Sequence, residues 1–189
     1  MAKIGLQYVV AGKLGASQAS GADAKYTEGM YLGPSTTFSV SPNVADASDY
    51  GDDHMTESDK SVTGGTVSVE INEFQQDVEA FMLGHKYDEA KKIMTASAND
   101  VAPYLGIGAV GVSKVNGVRK YRGKWYYKTV FGDPADENTT KGESISFAHT
   151  SLEGTLLTLD NGDWKEEEIF DTLDAAKAWL NGKAGITAT

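Results

Sequence analysis

Short runs in which apolar and polar residues alternate dominate this chain, and they read as strands. In 119–131, Tyr121, Trp125, Tyr127, Thr129 and Phe131 fall on one side of a two-residue period. Lys120, Arg122, Lys124, Tyr126 and Lys128 fall on the other. That is the period of a pleated strand with one buried face. Similar runs predict strands at Lys3–Val10, Tyr26–Leu32, Thr36–Val40, Val62–Ile71, Lys91–Ala96 and Ile145–Leu152. Asn116-Gly117 lies between 110–115 and 118–131, and Asn161-Gly162 between 151–159 and 164–170. Asn-Gly suits the two positive-φ positions of a type I′ turn, so both pairs of runs are predicted to be hairpins.

A 3.6-residue period appears twice. Phe74, Val78, Phe81 and Met82 form one face of a helix that Asn72 caps, with Gln75 three residues on, and that Gly84 ends. Thr172 opens a second helix with Leu173, Ala176 and Leu180 on one face, and Gly182 is expected to stop it. Two stretches fit neither period: 12–24, rich in Gly, Ala and Ser, and 41–60, which holds Asp46, Asp49, Asp52, Asp53, Glu57 and Asp59 with Lys60 as its cation. The second reads as a long acidic loop, a length that in a compact domain marks function or disorder. The expected fold is a mainly β single domain over 1–189, a β-sandwich with one flanking helix and a short C-terminal helix.

Composition sharpens this reading. Glycine is frequent (21 of 189) and proline scarce (4), as suits a β fold with tight turns. There is no cysteine, which removes disulfide scaffolds, Cys-ligated zinc and thiol nucleophiles. A chain of 20.2 kDa hides roughly 70% of its unfolded surface, enough for a core without a staple. The formal charge of −10 disfavours nucleic-acid phosphates unless a basic patch is segregated. No apolar stretch is long enough to span a bilayer as a helix, and the opening residues lack a signal-peptide core, so a chain folded in a cytoplasm is expected.

Candidate chemistry is thin. Gly106-Ile107-Gly108-Ala109-Val110-Gly111 matches G-x-G-x-x-G, but an alternating strand follows where a dinucleotide site needs a helix, so a glycine-rich strand edge is expected. The acids of 46–59 do not fit the EF-hand spacing, and a solvated or partner-facing loop is the simpler reading. His54, His85 and His149 lack metal-ligand spacing and read as surface histidines; His85 follows the helix end. There is no G-x-S-x-G elbow. Glu166-Glu167-Glu168 would alternate faces on a strand, and Asn138-Thr139-Thr140 is a sequon without meaning unless the chain is secreted. Neither catalysis nor a cofactor or metal is expected. The row Lys120, Arg122, Lys124 and Lys128 is the one segregated basic feature, and it suits charge pairing across a self-association interface.

The order of several short segments resembles one family. These are Lys3-Ile4-Gly5-Leu6, Tyr50-Gly51-Asp52-Asp53, Phe81-Met82-Leu83-Gly84-His85 and Ala102-Pro103-Tyr104-Leu105-Gly106. They continue with Phe131-Gly132-Asp133-Pro134, Thr140-Lys141-Gly142-Glu143, Leu152-Glu153-Gly154 and Gly162-Asp163-Trp164, and close with Phe170-Asp171-Thr172 and Ala178-Trp179-Leu180. Together they resemble the major tail proteins, the tail-tube subunits, of long non-contractile-tailed bacteriophages of the phi13 type. The likeness runs over nearly the whole chain and rests on order and spacing, not on any one motif.

The resemblance implies a structural virion protein and no enzyme. Six copies would form a ring whose inner sheets join into a barrel, and rings would stack into a tube. The tube would house the tape measure protein, meet tail terminator and distal tail proteins, and conduct DNA without sequence-specific binding or any membrane contact. It also implies that 41–60, with Asp46, Asp49, Tyr50, Asp52 and Asp53, and with it the terminal stretch 182–189, touch the next ring; the immunoglobulin-like C-terminal domain that some relatives carry is not expected. An acidic lumen would repel phosphates. Two alternatives stay open: a ring protein of the same fold that does not polymerise alone, such as a tail terminator or secretion-tube ring, and a monomeric β-sandwich binding module.

Overall fold

The computed structural model describes residues 2–51, 54–115, 117–135 and 149–186, and side chains in those stretches except 2–3, 47–51, 54–59 and 115. The elements are β1 (Ala2–Leu14), β2 (Tyr26–Tyr31), β3 (Ser35–Gly51), β4 (His54–Ile71), α1 (Gln76–Leu83), β5 (Lys86–Asp88), β6 (Ile93–Thr95), β7 (Leu105–Val115), β8 (Val118–Phe131), β9 (Thr150–Leu157), β10 (Lys165–Phe170) and α2 (Leu173–Ala184). Antiparallel pairing sets the order β2-β1-β7-β8-β9-β4-β3, with β10 also on β8; β5 and β6 form a separate ribbon. The chain is mainly β and sandwich-like, with α1 flanking and α2 near the C-terminus.

One irregularity organises the sheet. Leu105 lies opposite Thr129 and Ile107 opposite Tyr126, so two steps on β7 span three on β8. This is a β-bulge, which inserts one residue and bends the strand. Before it, Trp125 and Tyr127 pack under α2 with Ala176 and Leu180, while Tyr126 points into the other core. After it the parity is exchanged, and Phe131 joins Tyr126 in that other core. The uninterrupted alternation expected over 121–131 therefore ends at the bulge.

The same bulge divides one edge of β8 between two partners. Tyr121–Tyr126 pair with β10, and Lys128–Phe131 pair with β9. Asn161-Gly162 does form a turn: Gly162 has φ 90° and its N–H donates to the Leu159 carbonyl at 2.9 Å. Yet β9 and β10 follow one another along β8 and do not pair together, so the expected second hairpin is not one. The first is, with Val115 opposite Val118.

Two cores result. Val9, Leu32, Val67, Val69, Ile71, Ile107, Leu152 and Leu156 fill the space between layers, closed by Phe81 and Met82 of α1. Val10, Val110, Trp125, Ala176 and Leu180 fill the space under α2. Val9 and Val10 point oppositely, as adjacent strand residues must, and there β1 is buried on both faces.

The helix ends depart from expectation. Gln75, not Asn72, is the N-cap of α1, whereas Gly84 closes it at φ 79° as expected. Thr172 caps α2, its hydroxyl accepting from the Ala175 N–H at 3.3 Å. The helix continues through Gly182 to Gly185, because the extra turn buries Ala184 against strand backbone. A β-carbon on Gly12 would sit 2.4 Å from the Ala184 carbonyl oxygen, and one on Gly29 2.3 Å from it.

The 12–24 stretch begins as the end of β1 and continues as a strap. The Asp160 and Asn161 N–H groups donate to the Gln18 and Ala19 carbonyls (both 3.1 Å), and the Gly21 N–H donates to Asp163 (2.9 Å).

The 41–60 stretch is not a loop. Its described residues continue β3 and β4 as one long hairpin, Ser41 opposite Thr66, Asp46 opposite Lys60 and Gly51 opposite His54. Its polar composition hid the strands because this part covers no core, so no face had to be apolar. Asp52 and Asp53 lie outside the described residues, as do 136–148 and 187–189.

Gly12→Ala should destabilise the fold by about 1–3 kcal/mol by forcing α2 off the sheet. Gly182→Ala, with no atom within 4 Å of the new methyl, should stabilise it by about 0.5–1 kcal/mol. Urea midpoints measured on the monomer check both signs.

Candidate assembly surface

The basic row of β8 has partners inside its own chain. Lys120 pairs with Asp171, and Arg122 Nη1 lies 3.6 Å from Glu167. Lys124 adds to the field that, against burial, keeps Glu167 below the ordinary carboxylate range, after the Lys165 hydrogen bond. Lys128, beyond the bulge, donates to Gln18 Oε1 at 2.6 Å and lies over the Tyr104 ring. The run 166–168 alternates faces as a strand requires: Glu166 accepts from Lys183 and Tyr127 (both 2.6 Å) on the α2 side. Burial raises Glu166, but those hydrogen bonds outweigh it and its carboxyl stays below the ordinary range.

Two cations that sequence reasoning passed over stand differently. Lys114 and Arg119 flank the β7–β8 turn, lie opposite each other and are exposed. Neither has an ion-pair partner among the described residues. Cations on both sides of an Asn-Gly turn were the available signal.

The β3–β4 hairpin is the other prominent surface. β9 covers β4 only from Gly65 to Ile71. Beyond Gly65 the hairpin continues as a two-stranded ribbon with both outer edges unpaired among the described residues. From Asn43 to Gly51 that is about 25–30 Å at the usual strand rise. Register shifts interrupt it at Asn43/Val44 and Asp49/Tyr50. Asp46 is placed against Lys60, their charged atoms 3.2 Å apart; Asp49 and Tyr50 are placed in the strand backbone. The stretch 182–189 does not form a free tail over its described part: Gly182–Ala184 belong to α2, and Ile186 packs on the core beneath it.

The outward face of β3, β4 and β9 is built from hydroxyls. Opposite the buried Val67, Val69, Ile71, Leu152 and Leu156, the strands turn outward Thr37, Ser39 and Ser41, then Thr66, Ser68 and Glu70, then Ser151, Glu153 and Thr155. They lie in register, Ser39 against Ser68 and Ser68 against Glu153. Two carboxylates and no cation occur among these nine positions. Glu70 accepts from Thr37 at 2.8 Å, and that bond with one from Thr36 holds its carboxyl low.

The remaining motifs have structural roles. Gly106 and Gly108 sit inside β7, between β1 and β8 and not at a sheet edge; β-carbons there would meet Trp125 at 2.3 and 2.6 Å. No helix N-terminus follows them. A cleft of about 200 Å³ is lined by Leu6, Phe38, Val112, Arg122 and Lys124 among others, and shallower hollows of about 350 and 330 Å³ lie beside Phe131 and Gly154 and beside Tyr26 and Tyr127. No group of three or more His, Asp or Glu is placed to hold a metal among the described residues. No described helix is long and apolar enough to cross a membrane.

His85 is not a surface histidine. Its side chain is 6% exposed, with Nδ1 3.0 Å from Asp100 and Nε2 2.8 Å from Asp133. The 97–100 turn and the segment after β8 fold over the end of α1 and enclose it. The bond to Asp100, then that to Asp133, raises the imidazole above its ordinary 6.5 against the effect of burial. His85 in turn, with the Ser97 N–H, holds Asp100 below 3.8.

Compared with known proteins, the chain matches no family model and no curated sequence.

The clamp has a signed pH dependence. With the His85 value raised on folding, its contribution is complete below 6.5 and is lost as pH rises through the raised value. The Asp100 contribution is present above 3.8 and is lost as pH falls through the lowered value. Melting temperatures should therefore fall as pH rises above 6.5, and His85→Gln should flatten that fall. An unchanged slope in the variant would remove His85 as its cause.

Proposed function

We propose that this chain is a structural subunit that assembles with copies of itself, in the manner of the tail-tube proteins it resembles. Six copies form a ring, rings stack into the tail tube of a long non-contractile-tailed phage, and the tube holds the tape measure protein before conducting DNA. Tail terminator and distal tail proteins bound its two ends in the virion. The role is mechanical, with no catalytic step.

The observation that carries this reading is the open-edged sheet. β3 ends it with a strand of 17 residues whose outer edge has no partner among the described residues, and the ribbon extends past β9, which pairs with β4 only from Gly65 to Ile71. Exposed edges of this length invite pairing, and a monomer normally shortens, covers or blunts them. Isolated two-stranded ribbons are marginal in water, so neighbouring copies supply what the ribbon lacks.

The hydroxyl face of β3, β4 and β9 supports the conduit role. A channel for DNA must not bind phosphate, and this face offers neutral hydroxyls and two carboxylates. In this reading it lines the lumen.

Negative-stain electron microscopy over a rising concentration series tests the proposal. Tubes or stacked rings of uniform diameter are expected. Particles that remain monomeric at every concentration would count against it, and a saturable small-ligand affinity in such a monomer would favour a binding module instead.

A further inference from the structure

Small residues of β7 stand in register with cations of β8: Ala109 opposite Lys124, Gly111 opposite Arg122 and Ser113 opposite Lys120. Strand alternation puts Ala109, Gly111 and Ser113 on one face of β7, the face by which Ala109 enters the core between layers. The cations share their face of β8 with Tyr126 of the same core. Short side chains beside long ones leave a hollow, and it is the cleft of about 200 Å³. A β-carbon on Gly5 would meet nothing within 4 Å, and one on Gly111 only the Arg122 carbonyl oxygen at 3.9 Å.

Two kinds of chemistry line this cleft. Leu6, Phe38 and Ala109 supply apolar wall, while Arg122 and Lys124 bring positive charge. No carboxylate lines it among the described residues. The third cation, Lys120, is held by Asp171, and Glu167 accepts from Lys165 at 3.0 Å with Arg122 Nη1 3.6 Å away. Ser113 also lines the cleft; it is 5% exposed, and its hydroxyl has no hydrogen-bond partner among the described residues. Leaving a buried hydroxyl without a partner is costly, so a ligand that bonds it gains from doing so.

We propose that this cleft binds a small organic carboxylate with a compact apolar body. The carboxylate meets Arg122, Lys124 and the Ser113 hydroxyl, and the body packs on Leu6 and Phe38. An apolar cavity of about 150 Å³ takes up benzene, so this one holds a single ring together with its carboxylate. A few convergent polar groups set in apolar wall are the usual makeup of a ligand site. A bare phosphate would satisfy the cations and leave the wall unfilled. The site lies within one copy and stands whether or not copies assemble.

Benzoate is the probe, titrated by ligand-observed NMR against protein kept below the concentration at which assembly begins. Binding should saturate and be at least tenfold tighter than that of benzyl alcohol or inorganic phosphate. Lys124→Gln should weaken benzoate about tenfold, the worth of one hydrogen bond to a charged group. Lys128→Gln, outside the lining, should leave it unchanged. Gly111→Val fills the hollow, and should melt no lower than wild type yet abolish binding, a split that simple destabilisation would not give. Benzoate that fails to saturate, or that binds no tighter than benzyl alcohol or phosphate, would overturn the site. So would equal losses in the two lysine variants, or undiminished binding to Gly111→Val.

Discussion

The bulge that offsets β7 from β8 is the constraint from which the architecture follows. One added residue lets β8 lend the same edge to β10 and then to β9, and exchanges the faces on which its side chains lie. A straight strand would have carried Trp125 and Phe131 to one side and left Tyr126 as the only buried aromatic that β8 gives the core between layers. With the bulge, Trp125 anchors the core under α2 and Phe131 the core between layers. Gly106 and Gly108 are part of the same solution, since the indole needs the space their missing side chains leave.

The distribution of charge follows the packing. Where β8, β10 and α2 meet, acids and bases are held in pairs within the chain, although exposed pairs of this kind contribute little each. On the ribbon the sequence places six carboxylates between 46 and 59, of which Asp46 meets Lys60, and the β7–β8 end holds Lys114 and Arg119 opposite each other. The net charge of −10 is therefore not spread evenly, and unevenness is what lets a surface select its neighbour.

Much of this was legible in the sequence wherever a face had to be buried. The strands around Val9, Val67 and Trp125, the Thr172 cap and the Asn116-Gly117 hairpin all follow from local chemistry. The long hairpin was not legible, because strands that cover no core need no alternation and an acidic stretch reads as solvent. The false hairpin at Asn161-Gly162 has a different origin: the turn is real, but which strands its flanks join depends on an edge of β8 far away in sequence. His85 was misplaced because Asp100 and Asp133 reach it through tertiary contact alone. The basic row was seen, but its partners Glu167 and Asp171 lie on β10 and just after it, and no local pattern specifies the place of that strand beside β8.

The pairing of β1 with β7 places Ala2 beside Lys114, so β1, although its far end can meet β2 early, keeps its other edge open until more than half the chain has left the ribosome. At about 5–20 residues per second that wait lasts seconds, longer than any hairpin needs to form. The β3–β4 hairpin is contiguous in sequence and closes long before β1 finds its partner. For that interval the ribbon's edges stand open, and carboxylates of one sign along 46–59 make two such ribbons repel, the way gatekeeper charges keep exposed strands from pairing.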